Sequence, residues 1–234
     1  MTVEENSMGR RLLSEYLGSL ILTFTAISPT ILGYNVLESS IAVAVLMDAI
    51  AVGFVLFVLI EVLEPVSYCH INPAVTIAML ASKNIKVKAG LLYIFVQFLG
   101  GVCGTVASHA MFIGSDFFQW VAISEVARSG GNYFAEFIGT FMLVLVIFGC
   151  MFKKSIRPGL IIGFLVGGFL ITTSSTMFAN PQVTFARIFT WAIAGIRPID
   201  ALAFIIVEVV AALAATGVAA YLFPLREKPL GSGG

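Results

Sequence analysis

Charge is what this chain has least of: only 11% of its 234 residues are Asp, Glu, Lys or Arg. A soluble domain carries about 25%, so there are too few charges to clothe a water-facing surface. Neither sign dominates. Thirteen Lys and Arg stand against 13 Asp and Glu, which leaves no basic excess to neutralise phosphates and excludes a nucleic-acid binder. Cysteine is sparse and odd in number. Cys69, Cys103 and Cys150 are scattered, with no disulfide framework and no metal-ligand spacing. No Ser, Cys or Asp is paired with a positioned base, and no nucleotide motif occurs, so neither an enzyme nor an energy-coupled pump is indicated and no cofactor or metal is invoked. What fills the chain is apolar: 59% hydrophobic residues and a mean hydropathy of +1.02. That excludes disorder and indicates a membrane protein whose first partner is the lipid bilayer.

A spanning helix needs roughly 20 mostly apolar residues. Six stretches qualify, at about 10–33, 39–63, 88–112, 132–153, 157–178 and 199–223. Barrel strands would show alternation over about 9–11 residues, which these runs lack. Gly33-Tyr34-Asn35 closes the first stretch, Glu64-Pro65 the second, and Arg157-Pro158 opens the fifth. Ten of the 13 cations fall on one side: Arg10, Arg11, Lys83, Lys86, Lys88, Lys153, Lys154, Arg157, Arg226 and Lys228. The positive-inside rule makes that side, and both termini, cytoplasmic. Arg128, Arg187 and Arg197 take the other side. The polar start, with Glu4 and Glu5, does not read as a cleaved signal peptide. Residues 231–234 read as a flexible tail outside the fold of a single transmembrane domain, 1–234.

The two halves repeat, with about 10–112 as the first copy and 132–223 as the second. Glu15-Tyr16-Leu17-Gly18-Ser19 opens the first span and Glu136-Phe137-Ile138-Gly139-Thr140 the fourth. Asn72-Pro73-Ala74-Val75-Thr76 follows the second span, and Asn180-Pro181-Gln182-Val183-Thr184 the fifth. Three spans per half is an odd number, so the second copy lies inverted relative to the first. The apolar stretches after each Asn-Pro, 75–81 and 183–193, reach about half of a 30 Å hydrocarbon core. Asn followed by Pro is a good helix start, because Asn accepts from free N–H groups and Pro leaves none to satisfy.

On these residues the chain resembles the aquaporin and aquaglyceroporin (major intrinsic protein) family over about 10–223. Ser67-Tyr68-Cys69-His70-Ile71-Asn72-Pro73-Ala74-Val75-Thr76 is similar to its first signature, with Tyr68 where Gly is usual. Asn180-Pro181-Gln182 departs from the second by its Gln. Glu15, Glu136, and Gln97 with Gly100 and Gly101 match family positions on the first, fourth and third helices. The resemblance implies an all-α, right-handed bundle of six spanning helices plus two re-entrant half-helices. It also implies one pore per chain, a homotetramer, and a passive channel for water and small uncharged solutes such as glycerol. Short termini and compact loops fit a divergent prokaryotic member in a plasma membrane. Two half-helix N-termini meeting mid-membrane, each worth about half a positive charge, would repel cations and hydronium. An alternating-access transporter, or a structural protein with a closed pore, stays open at this point; Gln182 could narrow the centre in the latter.

Carried over by spacing, the family's outer filter falls on Val52, Gly168, Met177 and Val183, with Phe169 the alternative to Gly168. Val183 stands where the family has arginine, so the collar is expected to be apolar. Asp48 lies one turn outside Val52, and Arg187 one turn outside Val183. Together they could form a displaced polar ring in the outer vestibule; the competing view has Arg187 snorkelling and Asp48 capping a loop. Glu15 and Glu136 are expected to face inward and accept from loop N–H groups rather than relay protons, with Glu208 in a similar part near the counterpart of Gln97. His70 is expected to order its loop or, less simply, to sense pH. His109 reads as interfacial. Cys69 mirrors Met177, three residues before its Asn, and lines the inner pore unless it is an inert buried thiol. Gly53, Gly100, Gly101, Gly163, Gly167 and Gly168 suit close helix crossings.

Overall fold

The structure is a computed structural model and describes residues 3–223, so the tail at 231–234 and the cations Arg226 and Lys228 lie outside the described residues. Among them it is all helical. The long helices are α1 (Met8–Thr25), α2 (Ile41–Ser67), α4 (Val87–Ala110), α5 (Gly130–Lys153), α6 (Pro158–Thr172) and α8 (Pro198–Leu222). Between them sit two short helices, α3 (Pro73–Ala81) and α7 (Pro181–Ala186). Their starts carry local causes. Ser7 and Ser40 cap α1 and α2 by accepting from Arg10 N and Val43 N, and proline opens α3, α6, α7 and α8.

Several boundaries differ from the expected ones. The second span does not close at Glu64-Pro65 but runs on to Ser67 with Pro65 inside the helix. The first span breaks after Thr25 and resumes as the turn Ser28–Thr30 and the π turn Ile31–Val36. Pro29 has no N–H for the ladder, and Thr30 N turns to Ile27 O instead of Ala26 O. The fifth span stops at Thr172 rather than near 178, where Thr173 turns to extended backbone at φ -93° and ψ 143°. Its 15 residues extend only about 22 Å. Both half-helices begin at proline, earlier than expected, and α7 continues only as the turn Arg187–Phe189. His109 is not interfacial. It is fully buried, bonded through its two ring nitrogens to Trp120 O (2.9 Å) and Thr190 Oγ1 (2.7 Å), and stacked on Trp191.

Packing follows the inverted repeat. α1 lies along α4, its counterpart α5 lies along α8, and α2 meets α6 across the pseudo-symmetry axis. The half-helices exchange partners: α3 packs on α8 as well as α4, and α7 on α4 as well as α8. Glycines set the closest crossings. A methyl at Gly53 would stand 3.0 Å from Gly163 O, and one at Gly163 would stand 2.5 Å from Gly53 O. Gly100 and Gly104 abut the α1 carbonyls of Tyr16 and Leu20. A methyl at Gly168 would meet nothing within 4 Å, so this glycine serves no close crossing.

Gly163→Leu should therefore force α2 and α6 apart. The expected loss is about 1–3 kcal/mol or more, read as a lower unfolding temperature in detergent, whereas Gly168→Ala should leave that temperature near wild type.

Candidate functional site

The irregular segments before α3 and α7 put backbone at membrane depth, where each unpaired polar group is costly. Buried carboxylates meet that need. Glu15 accepts from His70 N (2.9 Å), Ile71 N (2.7 Å), Ser67 Oγ (2.6 Å) and Gln97 Nε2 (2.8 Å). Glu136 accepts from Phe178 N (2.9 Å) and Ala179 N (2.7 Å). Glu208 accepts from Asn180 N (3.2 Å) and Thr184 Oγ1 (2.7 Å). So held, both loops adopt runs of left-handed backbone: Tyr68, Cys69 and Ile71 in one, Thr176, Met177 and Ala179 in the other. His70 turns its ring to Thr76 Oγ1 at 3.1 Å and packs edge-on against Tyr93.

The half-helices meet start to start. Asn72 Oδ1 caps α3 through Ala74 N and Val75 N, and Asn180 Oδ1 caps α7 through Gln182 N. Each amide then donates across the junction, Asn72 Nδ2 to Ala179 O at 2.7 Å and Asn180 Nδ2 to Ile71 O at 3.0 Å. A primary amide has two donor hydrogens, so each keeps one for the space beside it. That space is a cavity of about 480 Å3, lined by both asparagines. It runs from Glu64, Asn84 and Lys154 at one end to Leu170 and Arg187 at the other. Leu22, Leu56, Ile60, Leu143, Ile162 and Val166 form its apolar wall, and Cys69 and Met177 line it on either side of the asparagines.

Gln182 is not on that wall. Its side chain turns into the α1–α4 contact, accepts from Thr23 Oγ1 at 3.1 Å and abuts Gly101, so it does not narrow the centre. Pro73, Ala74 and Pro181 are buried in the half-helix starts.

Of the four expected filter residues, Val52, Met177 and Val183 line the cavity. Gly168 does not. It is exposed and faces an outer groove between α2 and α6 with Ala49, Gly53 and Phe164. The outermost α6 residue on the cavity wall is Leu170, because helical periodicity turns positions 162, 166 and 170 to one face.

Asp48 and Arg187 come together above Val52 and Val183. Arg187 Nη2 lies 3.5 Å from Asp48 Oδ2, with both side chains buried. Arg187 also donates to Ala26 O and sits 4.2 Å over the Phe178 ring. It lines the cavity and does not snorkel, and Asp48 caps no loop, since Ser40 caps α2. The nearest sequence signal is Pro29, beside which the helix tightens and Thr30 N bonds Ile27 O instead of Ala26 O. Arg128 also lies over Phe178, 5.0 Å from its centroid. Burial, with Arg187 nearby, lowers Arg128 to about 10, and it stays a cation at neutral pH.

A bundle whose two half-helices abut on the wall of an elongated cavity defines a membrane protein with a lined passage through its core. A family model, the major intrinsic protein family, matches residues 2–179, ending just before Asn180-Pro181-Gln182. The chain is 31% identical over 221 residues to aquaglyceroporin AqpS of Rhizobium meliloti (strain 1021), covering 94% of this chain and 93% of that one. It is 32% identical over 152 residues to a probable aquaporin, PIP2-8, of Oryza sativa subsp. japonica, covering 63% of this chain and 54% of that one. The X-ray structure of the aquaglyceroporin from Plasmodium falciparum superposes with a TM-score of 0.69 at 20% identity, over 93% of this chain and 96% of that one. The chain belongs to the major intrinsic protein family.

Breaking a buried ion pair from one side leaves an uncompensated charge, at about 3–5 kcal/mol. Asp48→Asn alone is therefore expected to lower the unfolding temperature more than Asp48→Asn combined with Arg187→Gln. A double-mutant cycle in detergent measures the difference.

Proposed function

We propose that the protein is a passive channel for water and small uncharged solutes such as glycerol, and that it excludes protons and ions. The observation that carries this reading is the pair of asparagines, each with a spare donor, at the meeting point of two half-helices on the cavity wall. The two helix starts bring about half a positive charge each to that point, which opposes cations while the amides hydrogen-bond a passing oxygen. No inward-facing carboxylate is needed for transport: Glu15 and Glu136 are occupied with backbone N–H groups.

In this reading Val52, Met177 and Val183, with Leu170 in place of Gly168, form an apolar collar. Arg187, tied to Asp48 and the Ala26 carbonyl, supplies one turn outward the donor that the collar lacks. An apolar collar removes hydrogen bonds from water and lowers the desolvation barrier for less polar solutes. The channel works as a homotetramer in the plasma membrane with both termini cytoplasmic. The charge bias supports that orientation: Lys154 stands at one mouth of the cavity, on the side to which ten of the 13 cations fall.

Stopped-flow light scattering on liposomes holding the purified chain tests this, once against sucrose and once against glycerol. Water flux and glycerol entry above protein-free liposomes, without saturation or counterflow, are the expected results. The double variant Asp48→Asn with Arg187→Gln should shift the ratio of glycerol to water flux. Liposomes no faster than empty ones would sink the open-channel reading in favour of a closed, structural protein.

A further inference from the structure

The two halves differ at one buried polar contact. In the first, Gln97 Nε2 donates to Glu15 at 2.8 Å and to Thr76 Oγ1 at 3.1 Å. In the second, the corresponding threonine, Thr184, donates to Glu208. A carboxyl thus stands where the first half has an amide. Glu208 and Glu136 accept from adjacent amides of one loop, Asn180 N and Ala179 N, and both are fully buried.

Two ionised carboxylates so placed would repel and could exchange no hydrogen bond, since neither has a donor. The distribution of partners resolves this. Glu136 is loaded as an acceptor, by Phe178 N, Ala179 N and the Ser175 hydroxyl, as suits an ionised carboxylate. Glu208 is lopsided. Its Oε1 accepts from both Asn180 N and Thr184 Oγ1, whereas its Oε2 has no hydrogen-bond partner among the described residues. An oxygen taking two donors behaves as a carbonyl, and an oxygen taking none is the place for a hydroxyl hydrogen.

We propose that Glu208 is a neutral carboxylic acid in the folded protein and donates its proton to Glu136. An acid–carboxylate pair of one negative charge then anchors the second half-helix, where an amide–carboxylate pair anchors the first. The charged groups facing this pair are Arg187 at the end of α7 and Arg128 in the loop before α5. α3 and α7, both packed on α8, contain no titratable side chain. Glu208 acts on the passage only through Asn180 N and Thr184, as a positioning residue. Loss of the shared proton at alkaline pH sets a second negative charge behind Asn180 and loosens the loop that presents it.

Infrared spectroscopy of the full chain in lipid, grown with isotope-labelled glutamate, reads the proton directly and does so whatever solute the channel carries. At neutral pH the wild type should show a protonated-glutamate carbonyl band that Glu208→Gln removes. Water flux should fall between neutral and alkaline pH in the wild type and stay level in Glu208→Gln, whose amide can replace the acid as donor. Absence of any labelled carboxylic-acid band in the wild type overturns the proposal regardless of how the variant folds. A band that persists in Glu208→Gln does the same, and a flat wild-type flux profile overturns the coupling to Asn180.

Discussion

Everything in this passage depends on giving backbone N–H groups a partner where there is no water. Two half-helices can start at the middle of a bilayer only if the chain leading to them is satisfied. Glu15 does this for His70 and Ile71, and Glu136 for Phe178 and Ala179. These bonds turn the loops into left-handed runs that aim carbonyls across the junction, where Ile71 O and Ala179 O receive the opposite asparagine. Removing a carboxylate would orphan two amides at once in a low-dielectric interior, each at about 1–3 kcal/mol. The charge on these residues is structural in this sense: it orients the loop and contributes nothing that moves.

The outer end shows how one departure in sequence is absorbed by another. Val183 removes a donor from the collar, and Arg187 stands one helical turn beyond it. An arginine there needs acceptors, and α1 provides one because Thr30 N turns to Ile27 O and leaves the Ala26 carbonyl to be claimed. Asp48 supplies the opposite charge and Phe178 a π face. Three separate segments converge on one guanidinium, so its position is set by α1, α2 and the second loop together.

Much of this was legible in the sequence. Hydropathy runs located the spans, and the repeated Asn-Pro-x-Val-Thr located the half-helices and their inversion, because the physics of capping and of spanning length is local. Counting helical turns on two elements of opposite direction placed Asp48 and Arg187 at similar depth, but whether they pair or Arg187 snorkels was decided only by the assembled fold. What counting could not supply was rotation about a helix axis that no motif pins. Spacing within an apolar run points to Gly168, yet the helix presents 162, 166 and 170 to the cavity. His109 was misplaced for a related reason. Its partners, Trp120, Thr190 and Trp191, lie on segments whose meeting is decided only by the assembled fold. Gln182 was ambiguous until Gly101 and Thr23 showed where a longer side chain has room.

The shortness of α6 has a consequence for the surrounding lipid. Fifteen residues make a hydrophobic rod about 8 Å shorter than a 30 Å core. Its neighbour α2, at 27 residues, is more than long enough. The annulus of acyl chains therefore meets a step in hydrophobic thickness along the α2–α6 face. A bilayer accommodates such mismatch by thinning locally, at fractions of a kcal/mol per Å, or is spared the strain where protein covers the step. The elastic energy of the membrane thus favours thinner bilayers around this face, or its burial against a neighbour.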